Sequence, residues 1–196
     1  MSVVRMAAHS VIQLQGLVYH INSEGGIRMN SPYEGKFRIT QTFKGSAHDG
    51  LDLVGIDSKE IHATATGKIV KAGWENENNH AQGFGQYVVI LAGGKYYHYG
   101  HLSEIRCKLG QQVKITDVIG IEGSTGNSTG SHCHYCIRTS MSPGTFLDVC
   151  SISGIPNVLS GVYDDGYRSS SKKEKKSVKV TVTIDDHQYS GLLEET

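Results

Sequence analysis

Between residues 37 and 138 apolar and polar side chains alternate with a period of two in short runs, most of them closed by glycine. From Phe37 to Phe43 the alternation predicts a strand, and KIVKAGW around Ile69, set between Gly67 and Gly73, predicts another. Gln86 to Leu91 and Lys95 to His101 read as two strands joined across Gly93-Gly94, a favoured two-residue hairpin turn. KLGQQVKITDVIGIEG supplies two further short strands, and SHCHYCIR one more. No stretch holds a 3.6-residue period, so the predicted fold class is all-β, an antiparallel β-sheet core.

The ends read differently. Residues 1–30 show no sustained period and run into SEGGIRMNSP, whose glycine pair and Pro32 mark a break, so they are expected to be an N-terminal extension to a folded domain at 31–150. Beyond Cys150 the Gly, Ser and Asp-rich SISGIPNVLSGVYDDGYRSSS leads into KKEKK, and 151–177 is expected to be a loop and charged linker. In 178–196, VKVTVTI and QYSGLL around Asp185-Asp186 predict a C-terminal hairpin too small to be stable alone.

Composition narrows the partners. A chain of 196 residues can bury one well-formed core. Its 19 basic and 19 acidic residues cancel, so no net field draws it to nucleic acid or an anionic membrane, and recognition must come from a local site. His9, Ser10, Gln13 and Gln15 interrupt the apolar runs of the first twenty residues, so neither a signal peptide nor membrane insertion is expected, and synthesis is expected in the cytoplasm. The four cysteines are then expected to be reduced thiols. Nothing in the sequence signals an oligomeric state.

The chemistry concentrates in histidine, of which there are ten. In SHCHYCIR an extended backbone turns His132 and His134 to one face, with α-carbons about 6.6 Å apart. That pattern suits either one ligand and one helper or a plain pair of exposed strand histidines. In HDGLD a straight strand would hold His48 and Asp52 about 13 Å apart, so joint metal binding requires a bend, for which Asp49-Gly50 is a candidate turn. An ordinary Asp-Gly hairpin is the alternative there. A third histidine stands in GKYYHYGHLS, and a glycine-rich lead-in, GSTGNSTG, precedes the His-x-His.

In the order HDGLD, ATATGKIVKAGW, GQYVVI, YGHLS, GQQVKITDVIGIEGSTGNSTG and HCH, the sequence resembles the lysostaphin or LytM family of cell-wall zinc endopeptidases, over roughly residues 32–138. The resemblance implies one Zn2+ per chain held by His48, Asp52 and His134, with water in the remaining position, and His101 and His132 as the catalytic pair. It implies a groove on the sheet that takes a peptidoglycan peptide. Three protein ligands leave a tetrahedral corner open, as catalytic zinc requires, and zinc lowers the pKa of bound water to about 7. One of the two remaining histidines can then accept the water proton while the other donates to the oxyanion.

The sequence departs from the family in places. Cys133 stands where Leu is usual and is read as core, while Thr116 replaces a usual Gly in a turn. Cys136 shares the strand face of His134, and its thiolate is an alternative fourth ligand. No tyrosine between Tyr33 and His48 fills the role that an upstream tyrosine plays in some relatives. His98 shares the face of Gly100 rather than that of His101 and is assigned to packing or surface. The expected function is a phage or prophage lysin that meets the wall after lysis or as part of a phage particle. The alternative is a non-catalytic wall-binding or virion structural module with a stabilising zinc.

Overall fold

The computed structural model describes residues 10–14, 17–21, 27–141, 145–164, 178–184 and 187–193. In chain order, β1 (Ser10–Leu14), β2 (Leu17–Ile21) and β3 (Ile27–Arg28) come first. The body follows as β4 (Lys36–Gln41), β5 (Gly50–Gly55), β6 (Glu60–His62), β7 (Gly67–Trp74), β8 (Gln86–Ala92), β9 (Lys95–Gly100), β10 (Glu104–Ile105), β11 (Gln112–Val113), β12 (Val118–Ile121) and β13 (Cys133–Arg138). Helix α1 (Val149–Ser153), β14 (Val162–Asp164), β15 (Val178–Ile184) and β16 (His187–Leu193) complete it. The predicted all-β, antiparallel class is the observed one.

The body is an eight-stranded sheet in the order β11-β7-β8-β9-β13-β5-β4-β14, accompanied by a three-stranded sheet β10-β12-β6. Every pairing within these two sheets is antiparallel. Gly93 and Gly94, at φ +55° and +73°, make the predicted turn between β8 and β9, where two left-handed residues match the twist of the strands. One face of the large sheet is the core: Phe37, Ile39, Leu51, Leu53, Val88, Ile90, Tyr99, Tyr135 and Ile137 are buried together with Ile61 and Ile119 of the smaller sheet. The two buried tyrosines need partners for their hydroxyls. Thr64 Oγ1 supplies both, at 2.6 Å from Tyr99 and 2.9 Å from Tyr135.

The central strand β13 is buried along its whole length. Alternation sends Tyr135 and Ile137 into the core, and His134, Cys136 and Arg138 to the opposite face. That second face carries the candidate site.

The structure revises the reading of the ends. Residues 10–28 contain a three-stranded antiparallel sheet, where the sequence showed no sustained period. The domain does not stop at Cys150. That residue lies inside α1, which is capped by the Asp148 carboxylate on the Cys150 and Ser151 N–H groups and ended by left-handed Gly154. Beyond it Ile155 is buried, and β14 adds to the sheet beside β4. The KKEKK run lies outside the described residues. The predicted C-terminal hairpin is present as β15 paired with β16. No helix among the described residues is long and apolar enough to cross a membrane.

Candidate metal centre and its groove

Strand register creates the centre. His134 on β13 lies directly opposite Asp52 on β5, so their side chains emerge side by side on the same face. His48 comes from a tight turn over residues 45–48, in which its N–H reaches the Gly45 carbonyl at 3.2 Å and its own carbonyl accepts the Lys44 N–H at 2.9 Å. The bend therefore precedes Asp49-Gly50, and Gly50 already belongs to β5. Gly50 serves a different purpose, close approach. A Cβ there would sit 2.6 Å from the Tyr135 carbonyl oxygen and 2.7 Å from His134 Nε2, so only glycine leaves room for that imidazole.

Hydrogen bonds to carbonyls, which can only accept, set the ring tautomers. His48 Nδ1–H donates to the Thr42 carbonyl at 2.8 Å, which leaves Nε2 as a lone pair 3.2 Å from Asp52 Oδ1. His134 Nε2 faces Asp49 Oδ1 at 3.3 Å, and its Nδ1 lies 2.8 Å from the same Asp52 oxygen. Two imidazole nitrogens thus converge on one carboxylate oxygen. Neutral rings would repel it through their lone pairs, so the arrangement calls for a cation, either added protons or a metal ion.

The pKa directions agree. Burial alone would raise the Asp52 carboxyl, but hydrogen bonds from His134 and His48, with the charge on His134, hold it well below the usual carboxylate range. Burial would lower His134, but Asp49 and Asp52 on its two sides outweigh that and raise it well above its ordinary value. The donor atoms of His48, Asp52 and His134 all lie within 4.8 Å of one another, and two imidazoles with one carboxylate form a donor set that suits zinc.

The two expected catalytic histidines are beside this cluster. His101 follows the end of β9 in a left-handed conformation, φ 64°, which breaks the strand alternation, and its ring centroid lies 6.1 Å from that of His134. The predicted strand therefore ends one residue early, at Gly100. His101 Nδ1–H donates to the Thr125 carbonyl at 2.7 Å, and His132 Nδ1–H to the Gly130 carbonyl at 2.8 Å, so each presents Nε2 as its free nitrogen. Their ring centroids are 4.6 Å apart, and His132 Nε2 is 3.5 Å from Asp52 Oδ1. Burial, aided by the neighbouring histidines, draws the His101 pKa down to about 4 against the pull of the Thr125 carbonyl. All five residues singled out in the sequence come together here.

Cys136 does not join His48 and Asp52. Its sulfur, fully buried, lies instead with Asp49 and His134 Nε2 within 4.8 Å. Arg138 already occupies that carboxylate, donating from Nε to Asp49 Oδ2 at 2.9 Å and also from Nη2. An arginine there opposes a second cation, so the thiol is not read as a ligand. His98 is 1 % exposed and lies near the Phe84 ring, in keeping with a packing role. All four cysteines are free.

Sequence reasoning missed the residues around the ligands. Glu122 is a buried carboxylate that accepts from Tyr33 OH, Gly55 N–H, Lys59 Nζ and Ser131 Oγ, and so ties the loop before His132 to the end of β5. No local pattern marks it. Arg138 could have been found, since alternation from His134 returns it to the same face. Beside the candidate ligands a groove of about 300 Å³ is lined by Glu75, Phe84, His101, Asn127, His134 and Arg138. Phe84 is held by its N–H to the Glu75 carboxylate.

Residues 46–145 match the family described as Peptidase family M23. The chain is 36% identical over 93 residues to lysostaphin of Staphylococcus simulans, covering 46% of this chain and 18% of that protein. It is 33% identical over 115 residues to the peptidoglycan DD-endopeptidase ShyA of Vibrio cholerae, covering 53% of this chain and 25% of that one. The chain spans about a fifth to a third of the length of the curated relatives it matches. Among solved structures, the catalytic domain of the prophage-encoded M23 protein EnpA from Enterococcus faecalis, crystallised as a point mutant, aligns with a TM-score of 0.51 at 28% identity. That alignment covers 61% of this chain and 94% of that one.

Proposed function

The chain belongs to peptidase family M23, and from that membership we propose that it is a zinc-dependent endopeptidase that hydrolyses peptide bonds in peptidoglycan cross-links. The observation that carries this reading is the convergence of His48 Nε2 and His134 Nδ1 on one oxygen of Asp52. These three side chains would hold the ion. Zinc held there would supply Lewis acidity and would lower the pKa of a bound water toward about 7. His101 and His132, each anchored through Nδ1–H, work through Nε2 alone, one as a neutral ring that would accept the proton of the attacking water and the other, carrying a second proton on Nε2, as the donor to the developing oxyanion. With its pKa drawn down to about 4, His101 keeps a neutral ring and an available lone pair near neutral pH.

The groove beside the ligands suits an extended peptide, and the activity named for the Vibrio cholerae relative supports a peptidoglycan substrate. We further infer a phage or prophage lysin, made in the cytoplasm and acting on the wall after lysis or from a phage particle. The prophage origin of the similar enterococcal domain supports that role.

Purified protein incubated with cell walls of several cross-link types, with and without a chelator, tests the activity. Falling turbidity and new amino termini are expected only with metal present, and His134→Ala should abolish both. Metal-loaded protein that releases no new termini from any wall type, or activity that survives His134→Ala, would overturn the proposal.

A further inference from the structure

Both ring nitrogens of His134 are engaged by carboxylates, and only one of these, Asp52, is needed to hold an ion. The other, Asp49, sits 3.3 Å from Nε2 on the far side of the ring. Arg138 grips the second oxygen of Asp49 through Nε at 2.9 Å and through Nη2. The guanidinium is in turn pinned, with its carbon 5.1 Å from the centre of the Phe84 ring and the side chain 10 % exposed. Asp49 stands between the ligand His48 and the first residue of β5, and Arg138 ends β13 on the strand face of the ligand His134, so the pair flanks the elements that make the centre.

We propose that Asp49 and Arg138 are positioning residues for the metal centre, holding His134 with its proton on Nε2 and its Nδ1 lone pair aimed at the ion. The inference rests on the metal-centre reading above. A carboxylate on the outer nitrogen of a ligating histidine selects the tautomer, orients the ring and raises its basicity. Arg138 gives the carboxylate one direction, because a two-pronged guanidinium contact restrains it in a way that a single hydrogen bond does not. It also keeps Asp49 from acting as a ligand itself, although Asp49, His134 and Cys136 are close enough to share an ion.

The test is zinc affinity, measured by competition against a chromophoric chelator on the full chain, for the parent, Asp49→Asn, Asp49→Ala and His134→Ala. Melting of each metal-free protein is recorded alongside. Asparagine keeps the shape and an accepting oxygen, so it should weaken binding by less than alanine does, and alanine by roughly 10- to 100-fold. Cobalt-loaded Asp49→Ala should also show a shifted visible absorption band, which a purely structural role would leave in place. Asp49→Ala binding within twofold of the parent, with an unshifted band, overturns the positioning role while His134→Ala still abolishes binding. A parent that binds no zinc, or a His134→Ala variant that binds as the parent does, overturns the metal-centre reading itself.

Discussion

Replacing Glu122 with alanine should cost this domain about 3–5 kcal/mol, the range expected when one partner of a buried charged network is removed. Four donors surround the carboxylate, and they do not contribute equally. Lys59 Nζ, at 2.8 Å, belongs to a side chain that is 51% exposed, so it adds at most about 1 kcal/mol. The Tyr33 hydroxyl, at 2.6 Å, is buried but also reaches the Leu53 carbonyl at 2.9 Å, so it keeps an acceptor when Glu122 is gone. The buried Gly55 N–H at 2.9 Å loses this acceptor, a cost of about 1–3 kcal/mol. Ser131 Oγ at 2.6 Å adds about 1 kcal/mol. Glu122→Gln retains shape and an accepting oxygen and should cost about half as much. Urea unfolding at pH 7 measures both, and the alanine variant should melt roughly 10 °C lower. Because Ser131 adjoins His132, turnover should fall in the same variants. An alanine cost below about 1 kcal/mol, or equal costs for alanine and glutamine, would refute the account of the network.

Two further outcomes are expected. Thr116 holds φ 82° with a β-branched side chain, a conformation that glycine adopts freely, while its N–H to Ala63 and its carbonyl to His62 are backbone groups that survive substitution. Thr116→Gly should therefore stabilise by about 0.5–1 kcal/mol in urea unfolding, and a destabilised variant would contradict that reading. Burial foremost, with the charge of Arg138, draws the His98 pKa down to about 3, whereas the unfolded value is about 6.5. The folded state then binds fewer protons between those values, so the His98 contribution is complete above pH 6.5 and is lost as pH falls toward 3. The slope is at most about 1.4 kcal/mol per pH unit, which integrates to about 2.3 kcal/mol between pH 6.5 and 4.5. His98→Leu should remove this slope in urea midpoints taken in chelator. Identical pH slopes for the two proteins would rule it out.

What could be read from the sequence was local. The Gly93-Gly94 turn and the alternation on either side of it mark β8 and β9 because two left-handed residues and a period of two are properties of adjacent positions. The candidate ligands were legible only through the family resemblance, since HDGLD alone also fits an ordinary Asp-Gly hairpin and HCH alone a pair of exposed strand histidines. The turn that delivers His48 was misplaced by a few residues, since Asp49-Gly50 has turn chemistry but is needed for close approach to His134. Helix α1 escaped detection because five residues are too few to show a 3.6-residue period, although its Asp148 cap and Gly154 stop are ordinary signals. Strand β14 hid in polar, glycine-rich sequence because an edge strand with one neighbour needs few apolar residues. Glu122 and Asp49 were invisible for a different reason. Most of their partners are far away in sequence, at Tyr33, Lys59, His134 and Arg138, and a long-range polar network leaves no periodic trace.

The ligand geometry then follows from register more than from the ligand side chains themselves. His134 pairs with Asp52 on one side and with Gly100 on the other, and His101 comes next after Gly100. Both glycine neighbours leave room. A Cβ on Gly50 would strike His134 Nε2, and one on Gly100 would come within 2.7 Å of the Phe84 ring. A slip of one residue between β13 and either neighbour would bring Tyr135 to the groove face and send His134 into the core, because successive strand residues face opposite ways. The core resists that slip through Tyr99 and Tyr135, whose hydroxyls meet at Thr64 only in the observed register. The apolar layer on one face of the sheet thus holds the candidate metal centre in place on the other.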